Sequence, residues 1–471
     1  MGELREKCAV FGAYGLNFEA ARLTFYGLWA LQHRGQESSG IVSSDGEQLY
    51  RHVAPGLVAN VYHEEDLQQL PGTIAIGHNR YSTSGGAHNK HAQPVLKHDR
   101  QIALAHNGNL PVTSAMEDFL RQRGIVTKIF NDSEMMTATI DCFMSEGNSI
   151  AQAAELAYPL FQGAFSVTAM DSSTLIAFRD HHGIRPLSIG TLGDGFIVAS
   201  ETCAFDTIGA TFLRDVLPGE LIVIDEHGIT SQQLSSGSQK LDIFEFVYFA
   251  RPDSVLLGKR VNQVRISLGH ELAREFPIEA DVVIPIPDSA IPAALGYSKS
   301  SGIPFEMGIV KNRYIHRTFI RPTKELRERD IKMKLIPIPE VIAGKRVIII
   351  DDSIVRGATL RKISEMMYGA GAKEVHILIS SPPIKYPDFY GIDTPTTSEL
   401  IGAQKTVAQI KSYLNVDSLG YLSYDGMISA TGLPPDQFST ACFNGVYPIP
   451  VIKTSTQALK PLTPNLAKIT R

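Results

Sequence analysis

The sequence predicts two successive domains, each built from both strands and helices, so that the fold class is α/β and α+β. Three observations predict this division. The first half alternates short β-like runs, punctuated by glycine, with helical stretches whose apolar residues recur at three and four. A Ser/Gln/Gly-rich run follows near residue 232, and beyond it the strands become almost continuously apolar. Continuous apolar strands are typical of a parallel sheet that helices cover on both faces.

The first half is predicted to form sheets covered by helices. Its helix-like stretches are EMMTATIDCFM (134–144) and IAQAAELAYPLF (150–161). Its β-like runs are TIAIGHNRYST (73–83), QIALAHNGNL (101–110), GAFSVTAM (163–170), TLIAFRD (174–180), FIVASET (196–202) and ELIVIDEHG (220–228). The run SQQLSSGSQK (231–240) predicts a surface connection, so we place the first domain at 8–235 and the second at 236–471.

The second half is predicted to contain a parallel sheet. The segments ADVVIPIPDS (280–289) and GKRVIIIDDS (344–353) are apolar strands, each followed by a polar loop and a helical segment. In such sheets the carboxyl ends of the strands and the N-termini of the next helices form a crevice. Exposed backbone amides attract phosphate there, so a phosphorylated ligand is expected at this edge.

Composition and charge limit the possible partners. The formal net charge is −5, which leaves no basic excess to neutralise a nucleic acid backbone, so nucleic acid is not expected as a main partner. No run of about eighteen uncharged apolar residues occurs, and the N-terminus is charged where a signal peptide would be apolar. A cytoplasmic protein without a membrane partner is therefore predicted. The four cysteines form no C-x-x-C pair, and a disulfide framework is not expected.

The sharpest local motif is VIIIDDSIVRGATL (347–360), a buried strand, a short loop and the start of a helix. Adjacent carboxylates at Asp351 and Asp352 repel each other unless a cation or hydroxyl groups lie between them, and a sugar diol with a magnesium ion would serve. Ser353, Thr359 and the backbone of Gly357 could donate to phosphate. In the alternative interpretation, one acid caps the helix and the other faces water.

This motif resembles the phosphoribosyl pyrophosphate motif of type I phosphoribosyltransferases, and it is most similar to the glutamine phosphoribosylpyrophosphate amidotransferase family. Four further segments resemble that family in the same order: VYFARPDS (247–254), VIPIPDSAIPAALGYS (283–298), KNRYIHRTFIRPT (311–323) and DFYGID (388–393). The resemblance implies a type I phosphoribosyltransferase domain with a parallel sheet. It also implies an enzyme that transfers ammonia from glutamine to phosphoribosyl pyrophosphate, giving 5-phosphoribosylamine in the committing step of purine synthesis.

The resemblance assigns roles to residues of the second half. It implies that Asp351 and Asp352 hold the ribose hydroxyls and magnesium, with Ser289 beside the pyrophosphate and the metal. Ala358 stands where the family usually has threonine, so one hydroxyl contact to the 5-phosphate is expected to be missing. The charged segment KNRYIHRTFIRPTKELRERD (311–330) is predicted to be a lid that closes over the substrate, although a plain surface loop would be equally polar.

The first half resembles the glutaminase domain of the same family, an N-terminal-nucleophile fold in which sheets and helices form an αββα sandwich. The segment CAVFGAYG (8–15) resembles the mature start of that domain, so residues 1–7 would be a propeptide and Cys8 the nucleophile. A terminal cysteine carries its own base, because the freed α-amine can take the thiol proton. Four other segments match in order: LQHRGQESSG (31–40), GHNRYSTSG (77–85), AHNGNL (105–110) and NDSE (131–134).

The resemblance also implies the partners of Cys8. Asn107 and the backbone N–H of Gly108 would stabilise the oxyanion, while Arg80 and Asp132 would bind the carboxylate and the amine of glutamine. Each residue has a structural alternative: H-N-G-N as a hairpin turn, Arg80 as a surface charge and Asp132 as a helix N-cap. Tyr248, just after the domain boundary, is expected to lie in the region that joins the two sites.

Many family members with a propeptide hold a four-iron cluster through four cysteines. The corresponding positions here are Asp242, Asp388, Asp436 and Ser439, and the nearby Cys442 cannot hold a cluster alone. Because carboxylates replace thiolates poorly in such clusters, no iron–sulfur cluster is expected. The expected cofactor is the magnesium ion that the resemblance assigns to Asp351 and Asp352. The resemblance further implies inhibition by purine nucleotides and a homo-oligomer, with a homotetramer as the family form.

These motifs leave three possible functions. The phosphate motif favours the phosphoribosyl amidotransferase over amidotransferases that make glucosamine phosphate or asparagine, because those use sugar-isomerase or ATP-pyrophosphatase domains. A non-catalytic nucleotide sensor with the same second domain is the third possibility. Ala358 alone supports it, since neither a basic face nor a helix-turn-helix segment is evident.

Overall fold

The computed structural model describes residues 8–80, 91–97, 102–312, 334–392 and 396–451. The predicted propeptide, most of the predicted lid and residues 81–85 of the second glutaminase motif lie outside the described residues. Within these ranges, no helix is long and apolar enough to cross a membrane.

The first half contains two antiparallel sheets. One has seven strands in the order β11-β9-β10-β1-β4-β2-β3, and the other has six in the order β13-β12-β8-β7-β6-β5. The strands are β1 (Ala9–Tyr14), β2 (Ser38–Ser44), β3 (Leu49–Pro55), β4 (Ile74–Arg80), β5 (Val95–Lys97), β6 (Ile102–Val112), β7 (Gln162–Met170), β8 (Leu175–Arg179), β9 (Ser188–Leu192), β10 (Gly195–Ala199), β11 (Thr211–Asp215), β12 (Glu220–Asp225) and β13 (Gly228–Gln233).

The two sheets pack face to face between layers of helix. Successive side chains of β1 point to opposite faces of its sheet: Ala9 and Phe11 face the helix layer, and Val10 faces the second sheet. The helices are α1 (Ala20–Ala30), α2 (Val58–Val61), α3 (Glu64–Gln68), α4 (Ser114–Gln122), α5 (Asp132–Ser145), α6 (Ile150–Ala157) and α7 (Cys203–Ile208). Helix α1 covers the first sheet and helices α4 to α6 cover the second, so the predicted αββα sandwich is confirmed.

The second half is built on a four-stranded parallel sheet in the order β17-β20-β21-β22. Four residues of β20, from Val347 to Ile350, are completely buried, as the continuous apolar run predicts. The strands of this half are β14 (Leu241–Asp242), β15 (Val255–Leu256), β16 (Lys259–Arg260), β17 (Val282–Pro285), β18 (Ile309–Lys311), β19 (Leu335–Pro337), β20 (Arg346–Asp351), β21 (Glu374–Ile379), β22 (Ser418–Tyr421) and β23 (Phe438–Ser439).

Helices cover both faces of this sheet, which confirms the parallel α/β architecture predicted for the second half. One apolar cluster includes α8 and α9, and the cluster on the opposite face includes the helix after β20. The helices are α8 (Val261–Glu275), α9 (Ile291–Ser301), α10 (Pro339–Ile342), α11 (Ala358–Gly369), α12 (Ile401–Gln404), α13 (Val407–Leu414), α14 (Tyr424–Thr431) and α15 (Ala441–Asn444).

The connection between the halves begins later than its composition suggests. Residues 231–233 of the polar run continue β13, which pairs with β12 at the edge of its sheet. An edge strand tolerates exposed serine and glutamine because one of its sides faces water. The irregular connection therefore lies between Gln233 and Leu241, the first residue of β14.

Candidate active sites

Cys8 lies immediately before β1, near the middle of the seven-stranded sheet. Its φ of +50° is left-handed, which is uncommon for a residue other than glycine. The register pairs Ala9 of β1 with Asn79 of β4, so the next position places Cys8 beside Arg80, the last residue of β4. The structure thus brings the predicted nucleophile next to the arginine predicted to bind the carboxylate of glutamine.

Asn107 and Gly108 lie within β6, on the sheet that faces β1 and β4. Asn107 is fully buried, and neither its Oδ1 nor its Nδ2 atom has a hydrogen-bond partner among the described residues. Gly108 has a φ of +150°, and a Cβ atom there would overlap the carbonyl oxygen of Ala164. Because buried amides normally find partners, the Asn107 side chain has the hydrogen-bonding capacity to bind a ligand at this point of β6.

The contact between the two sheets places these strands close together. His78 in β4 is paired with Val10 of β1, and its Nε2 atom lies 3.2 Å from the carbonyl oxygen of His106 in β6. Burial, helped by the charge of Arg80, lowers the pKa of His78 to about 3. The imidazole is therefore neutral near pH 7, and it donates to this carbonyl without adding positive charge. The alternative that residues 106–109 form a hairpin turn is wrong, because they lie inside a strand.

Asp132 faces the same stretch of β6. Its Oδ2 atom accepts a hydrogen bond from the Leu110 backbone N–H at 3.4 Å and lies 3.7 Å from His106 Nδ1. The alternative that Asp132 is an N-cap is wrong, because Asn131 caps α5 and Glu134 completes the capping box. The Asp132 carboxylate is thus positioned beside the strand that carries the predicted oxyanion residues, and it does not occupy the N-cap position of the helix.

A buried ionic network underlies Cys8. Arg34, on a short 3-10 turn, donates from Nε to the Cys8 carbonyl oxygen at 3.3 Å and from Nη1 to Glu201 Oε1 at 2.5 Å. Its Nη2 atom donates to Glu245 Oε1 at 2.7 Å. Burial alone would lower the pKa of Arg34, but Glu245 and Glu201 raise it above its ordinary value. The network therefore stays charged and fixes the backbone that carries the cysteine.

The sequence interpretation missed this network. Glu201 and Glu245 are 167 and 211 residues away from Arg34, and neither belongs to a motif assigned a role. The only local signal was the presence of Arg34 within the matched segment 31–40. A cation and two acids that are so far apart in the chain carry no pattern that spacing can reveal.

The second site forms at the carboxyl ends of β17 and β20. The Asp352 carboxylate accepts hydrogen bonds from the Ser289 hydroxyl at 2.5 Å and the Ser353 hydroxyl at 2.6 Å. Asp351 ends β20, and its Oδ1 atom accepts from the Asp352 backbone N–H at 2.9 Å. The structure thus brings together Ser289, Asp351, Asp352 and Ser353, as the parallel sheet predicts.

The loop after these acids leads into α11 through Gly357. This glycine has a φ of +75° and occupies the N-cap position, so neither Asp351 nor Asp352 caps the helix, and that alternative is wrong. Ala358 is exposed at the first helical position, and Thr359 is half-buried next to it. Lys311 at the end of β18 pairs with Asp288 at 2.9 Å, which adds a cation near Ser289 that was not predicted.

The oxygen atoms of this site suit magnesium. Asp351 and Asp352 offer hard carboxylate oxygens. Ser289 offers a hydroxyl oxygen, and this hydroxyl is hydrogen-bonded to the Asp352 carboxylate. In the part of the chain that the structure describes, no three His, Cys, Asp or Glu side chains form a metal site. This donor set fits a Mg²⁺ ion that takes one or two carboxylates from the protein and its other ligands from substrate phosphate and water.

Comparisons with known proteins decide the family. Residues 78–207 match the family model described as a glutamine amidotransferase domain, and residues 258–383 match the phosphoribosyl transferase domain. The chain is 48% identical to an amidophosphoribosyltransferase of a Synechocystis species, over 95% of this chain and 92% of that protein. It is 44% identical to the Bacillus subtilis amidophosphoribosyltransferase, over 94% of both chains. The chain belongs to the amidophosphoribosyltransferase family.

Solved structures agree with this family assignment. The chain superposes with a TM-score of 0.89 and 42% identity on the B. subtilis glutamine phosphoribosylpyrophosphate amidotransferase complexed with ADP and GMP, covering 95% of this chain and 99% of the other. A second structure, of the allosteric regulatory enzyme of purine biosynthesis, gives the same TM-score and identity. The predicted fold, family and enzyme class are thus confirmed: this is a glycosyltransferase-type enzyme with a glutamine amidotransferase domain.

In this amidophosphoribosyltransferase the segment after the domain connection contacts both halves. Tyr248 lies half-buried in a π-helical turn, Glu245–Phe249, whose first residue pairs with Arg34. Further along, Arg251 donates from its backbone N–H to Glu201 at 2.9 Å and from Nη1 to the Ala30 carbonyl oxygen at 3.0 Å. The segment 245–254 therefore lies against the network that supports Cys8.

Three of the four positions to which the family resemblance assigns cluster ligands, Asp242, Asp388 and Ser439, lie in one polar region around Cys442. Asp242 and Ser439 are register partners in the parallel pair β14–β23, and Asp242 lies 3.2 Å from Arg185. Burial, followed by the charges of Asp242 and Asp388, raises the pKa of the Cys442 thiol well above its usual range. Asp436 is exposed on a 3-10 turn. A neutral thiol among carboxylates is a poor ligand for iron, which binds thiolate.

This polar region predicts a dependence of stability on pH. Burial, followed by the charge of Asp388, raises the pKa of Asp242 to about 8, whereas an unfolded aspartate titrates near about 4. Between these values the folded protein binds a proton that the unfolded chain releases, so the free energy of unfolding falls as the pH rises. We expect Asp242→Asn to remove most of this fall, which is on the order of a few kcal/mol.

Urea unfolding at pH 5 and pH 8 measures the effect. The matched control is Asp436→Asn, because this exposed carboxylate lies in the same region. It should behave like the unmodified protein at both pH values. An Asp242→Asn variant that loses stability between pH 5 and pH 8 as steeply as the unmodified protein would contradict the prediction.

Proposed function

We propose that this amidophosphoribosyltransferase hydrolyses glutamine with Cys8 after residues 1–7 are removed. The freed α-amine, with an ordinary pKa of about 7.7 to 8.0, takes the thiol proton, and the sulfur attacks the side-chain amide carbon of glutamine. While the leader remains, this nitrogen is an amide and cannot act as a base. The fixed backbone of Cys8, bonded to Arg34, supports the proposal because it holds the nucleophile in place.

One observation carries the proposal: the buried Asn107 side chain has no hydrogen-bond partner among the described residues. When the thiol attacks, negative charge develops on the amide oxygen, and the Asn107 amide with the Gly108 backbone N–H would stabilise it. The α-ammonium then returns its proton to the amide nitrogen, the carbon–nitrogen bond breaks to release ammonia and leave a thioester, and water hydrolyses the thioester to glutamate and the free thiol. Arg80 would pair with the carboxylate of glutamine and Asp132 with its amine.

We propose that the second site binds phosphoribosyl pyrophosphate. Asp351 and Asp352 would hold the ribose hydroxyls, while Ser353, Gly357 and Thr359 would bind the 5-phosphate. Asp351, Asp352 and Ser289 would hold magnesium, which, when bound, offsets the negative charge of the leaving pyrophosphate. Ammonia attacks the ribose C1 as the bond to pyrophosphate breaks. Carboxylates near C1 stabilise the positive charge that develops on this carbon.

We propose that ammonia reaches this site along the segment that contains Tyr248. Ammonia that escaped into water would be protonated and lost as a nucleophile, so a dry path has a chemical reason. The contacts of Glu245 and Arg251 with the Cys8 network support a path that starts at the glutaminase site.

Several further features stay predictions. The domain boundary at 235/236 agrees with the end of β13 at Gln233. The chain is proposed to lack an iron–sulfur cluster, because Asp242, Asp388, Asp436 and Ser439 offer no thiolate. The B. subtilis relative was complexed with ADP and GMP, which favours inhibition by purine nucleotides here. A homo-oligomer, in the form of a homotetramer, is expected from the family resemblance, and a cytoplasmic location stays a prediction from the sequence pattern.

The role of the leader is tested by preparing samples with different fractions of processed chain. Intact mass spectrometry measures the fraction that starts at Cys8, and the same samples are assayed for glutamate released from glutamine. We expect the rate of glutamate release to be proportional to that fraction, while pyrophosphate release supported by added ammonium stays constant. Equal glutamate release by a chain that starts at Met1 would refute the role of the free amine.

A further inference from the structure

The second half of the chain contacts strand β6 at Gly108 and Asn109, next to Asn107. Asn109, one residue after Gly108, donates from Nδ2 to the carbonyl oxygen of Phe389 at 2.8 Å. Gly391 has a φ of +129°, and a Cβ atom there would lie 3.3 Å from the Gly108 Cα atom. The segment 388–392 therefore packs directly against the strand that carries Asn107.

This segment is held firmly by its own side chains. Asp388 Oδ1 accepts hydrogen bonds from the backbone N–H groups of Tyr390 at 2.8 Å and Ile392 at 3.0 Å. The hydroxyl of the fully buried Tyr390 donates to the Ile449 carbonyl oxygen at 2.6 Å. The Phe389 carbonyl thus belongs to a fixed support, which can set the position of a group that binds to it.

Strand β6 needs a support at this point. Its register with β7 runs regularly to the pair Asn109–Ala164 and then shifts before Val112. At such an irregularity the ladder no longer fixes the backbone. The Leu110 backbone N–H, one residue beyond Asn109, donates only a long 3.4 Å hydrogen bond to the Asp132 carboxylate. The Asn109 side chain is therefore placed to hold the end of the regular strand where the oxyanion residues lie.

We propose that Asn109 is a positioning residue for glutamine hydrolysis. By binding the Phe389 carbonyl, it keeps the Asn107 amide and the Gly108 backbone N–H aimed at the developing oxyanion. The glutaminase site is in this way completed by a segment of the phosphoribosyltransferase half. The inference rests on the proposed function of Asn107 and Gly108, and it adds a residue that does not touch glutamine.

The test replaces Asn109 with leucine, which has a similar size and no donor. We expect kcat for glutamine hydrolysis to fall about tenfold, less than the roughly 10²-fold or greater loss of a direct oxyanion donor. KM for glutamine should change by less than about twofold, because glutamine binding in the ground state is not altered. Pyrophosphate release supported by ammonium should not change. Asn109→Asp, which keeps the size but cannot donate, should show the same loss of kcat.

The matched control is Asn148→Leu. Asn148 also donates from Nδ2 to a backbone carbonyl, that of Phe143 at 2.9 Å, but it lies beyond the C-terminal end of α5. This variant should keep full glutaminase activity. If the Asn109 variants lose the ammonium-supported reaction as strongly as glutamine hydrolysis, or raise KM alone, Asn109 has only a structural or binding role and the inference is overturned.

A double-variant experiment tests whether Asn109 acts through Asn107. In an Asn107→Ala background, adding Asn109→Leu should lower kcat by less than about twofold, because residues that act as a unit are not additive. Independent, additive losses would overturn the inference. If Asn107→Ala alone leaves glutamine hydrolysis intact, the proposed oxyanion role itself fails, and this result is distinct from a failure of Asn109.

Discussion

Replacing Cys8 with serine is expected to lower glutamine hydrolysis by about 10³-fold or more, because the thioester can no longer form at sulfur. Pyrophosphate release with added ammonium should remain, because the second site forms at the parallel sheet of the other half. The two reactions are measured in parallel, as glutamate from glutamine and as pyrophosphate from phosphoribosyl pyrophosphate and ammonium.

The control for this variant is Cys142→Ser. Cys142 is a half-buried residue of α5, and burial raises the pKa of its thiol, so it stays protonated near pH 7. Both reactions should survive this substitution. Glutamine hydrolysis that persists in the Cys8→Ser variant would show that the nucleophile is another group.

The second large effect is expected for Asp352→Asn. This buried carboxylate accepts the hydroxyls of Ser289 and Ser353, and the proposal assigns it the ribose hydroxyls and magnesium. An amide of the same size carries no negative charge, so we expect pyrophosphate release to fall by about 10²-fold or more with either glutamine or ammonium. Glutamine hydrolysis is measured in the same samples and should be retained, because Cys8 and its partners are unchanged.

Asp281→Asn is the matched control for the second site. Asp281 lies just before β17, at the N-terminal ends of the parallel strands and so at the other end of the sheet from Asp352. There it pairs with Arg346 at 2.9 Å. Removing this exposed charge should leave both reactions intact. An Asp352→Asn variant with full pyrophosphate release would remove the proposed substrate role of that carboxylate.

The sequence predicted the elements of the fold better than their arrangement. The sequence runs that form β4, β6 and β7 were predicted as strands, because alternating or continuous apolar residues indicate which faces of a strand are buried. The order of strands around β1 could not be predicted, because it depends on pairings between distant parts of the chain. The polar run 231–240 was predicted as a surface connection, but residues 231–233 belong to a strand because they pair with β12. That pairing is also not visible in the local sequence.

The sites show the same division between local and distant information. The family resemblance predicted that Asp352 and Ser289 share one site, and the structure brings them together at the carboxyl ends of neighbouring parallel strands. The Arg34 network and the contact between Asn109 and Phe389 were missed. Phe389 is 280 residues away from Asn109, and a hydrogen bond from a side-chain amide to a backbone carbonyl requires no particular side chain on the acceptor residue.

The central claim is that one chain hydrolyses glutamine and uses the ammonia to displace pyrophosphate. The most direct measurement incubates chain that starts at Cys8 with glutamine, magnesium and phosphoribosyl pyrophosphate, and quantifies glutamate and pyrophosphate in the same samples over time. The two products are expected to accumulate in nearly equal amounts, and pyrophosphate should require both substrates. The claim would be contradicted if glutamate forms but adding phosphoribosyl pyrophosphate releases no pyrophosphate.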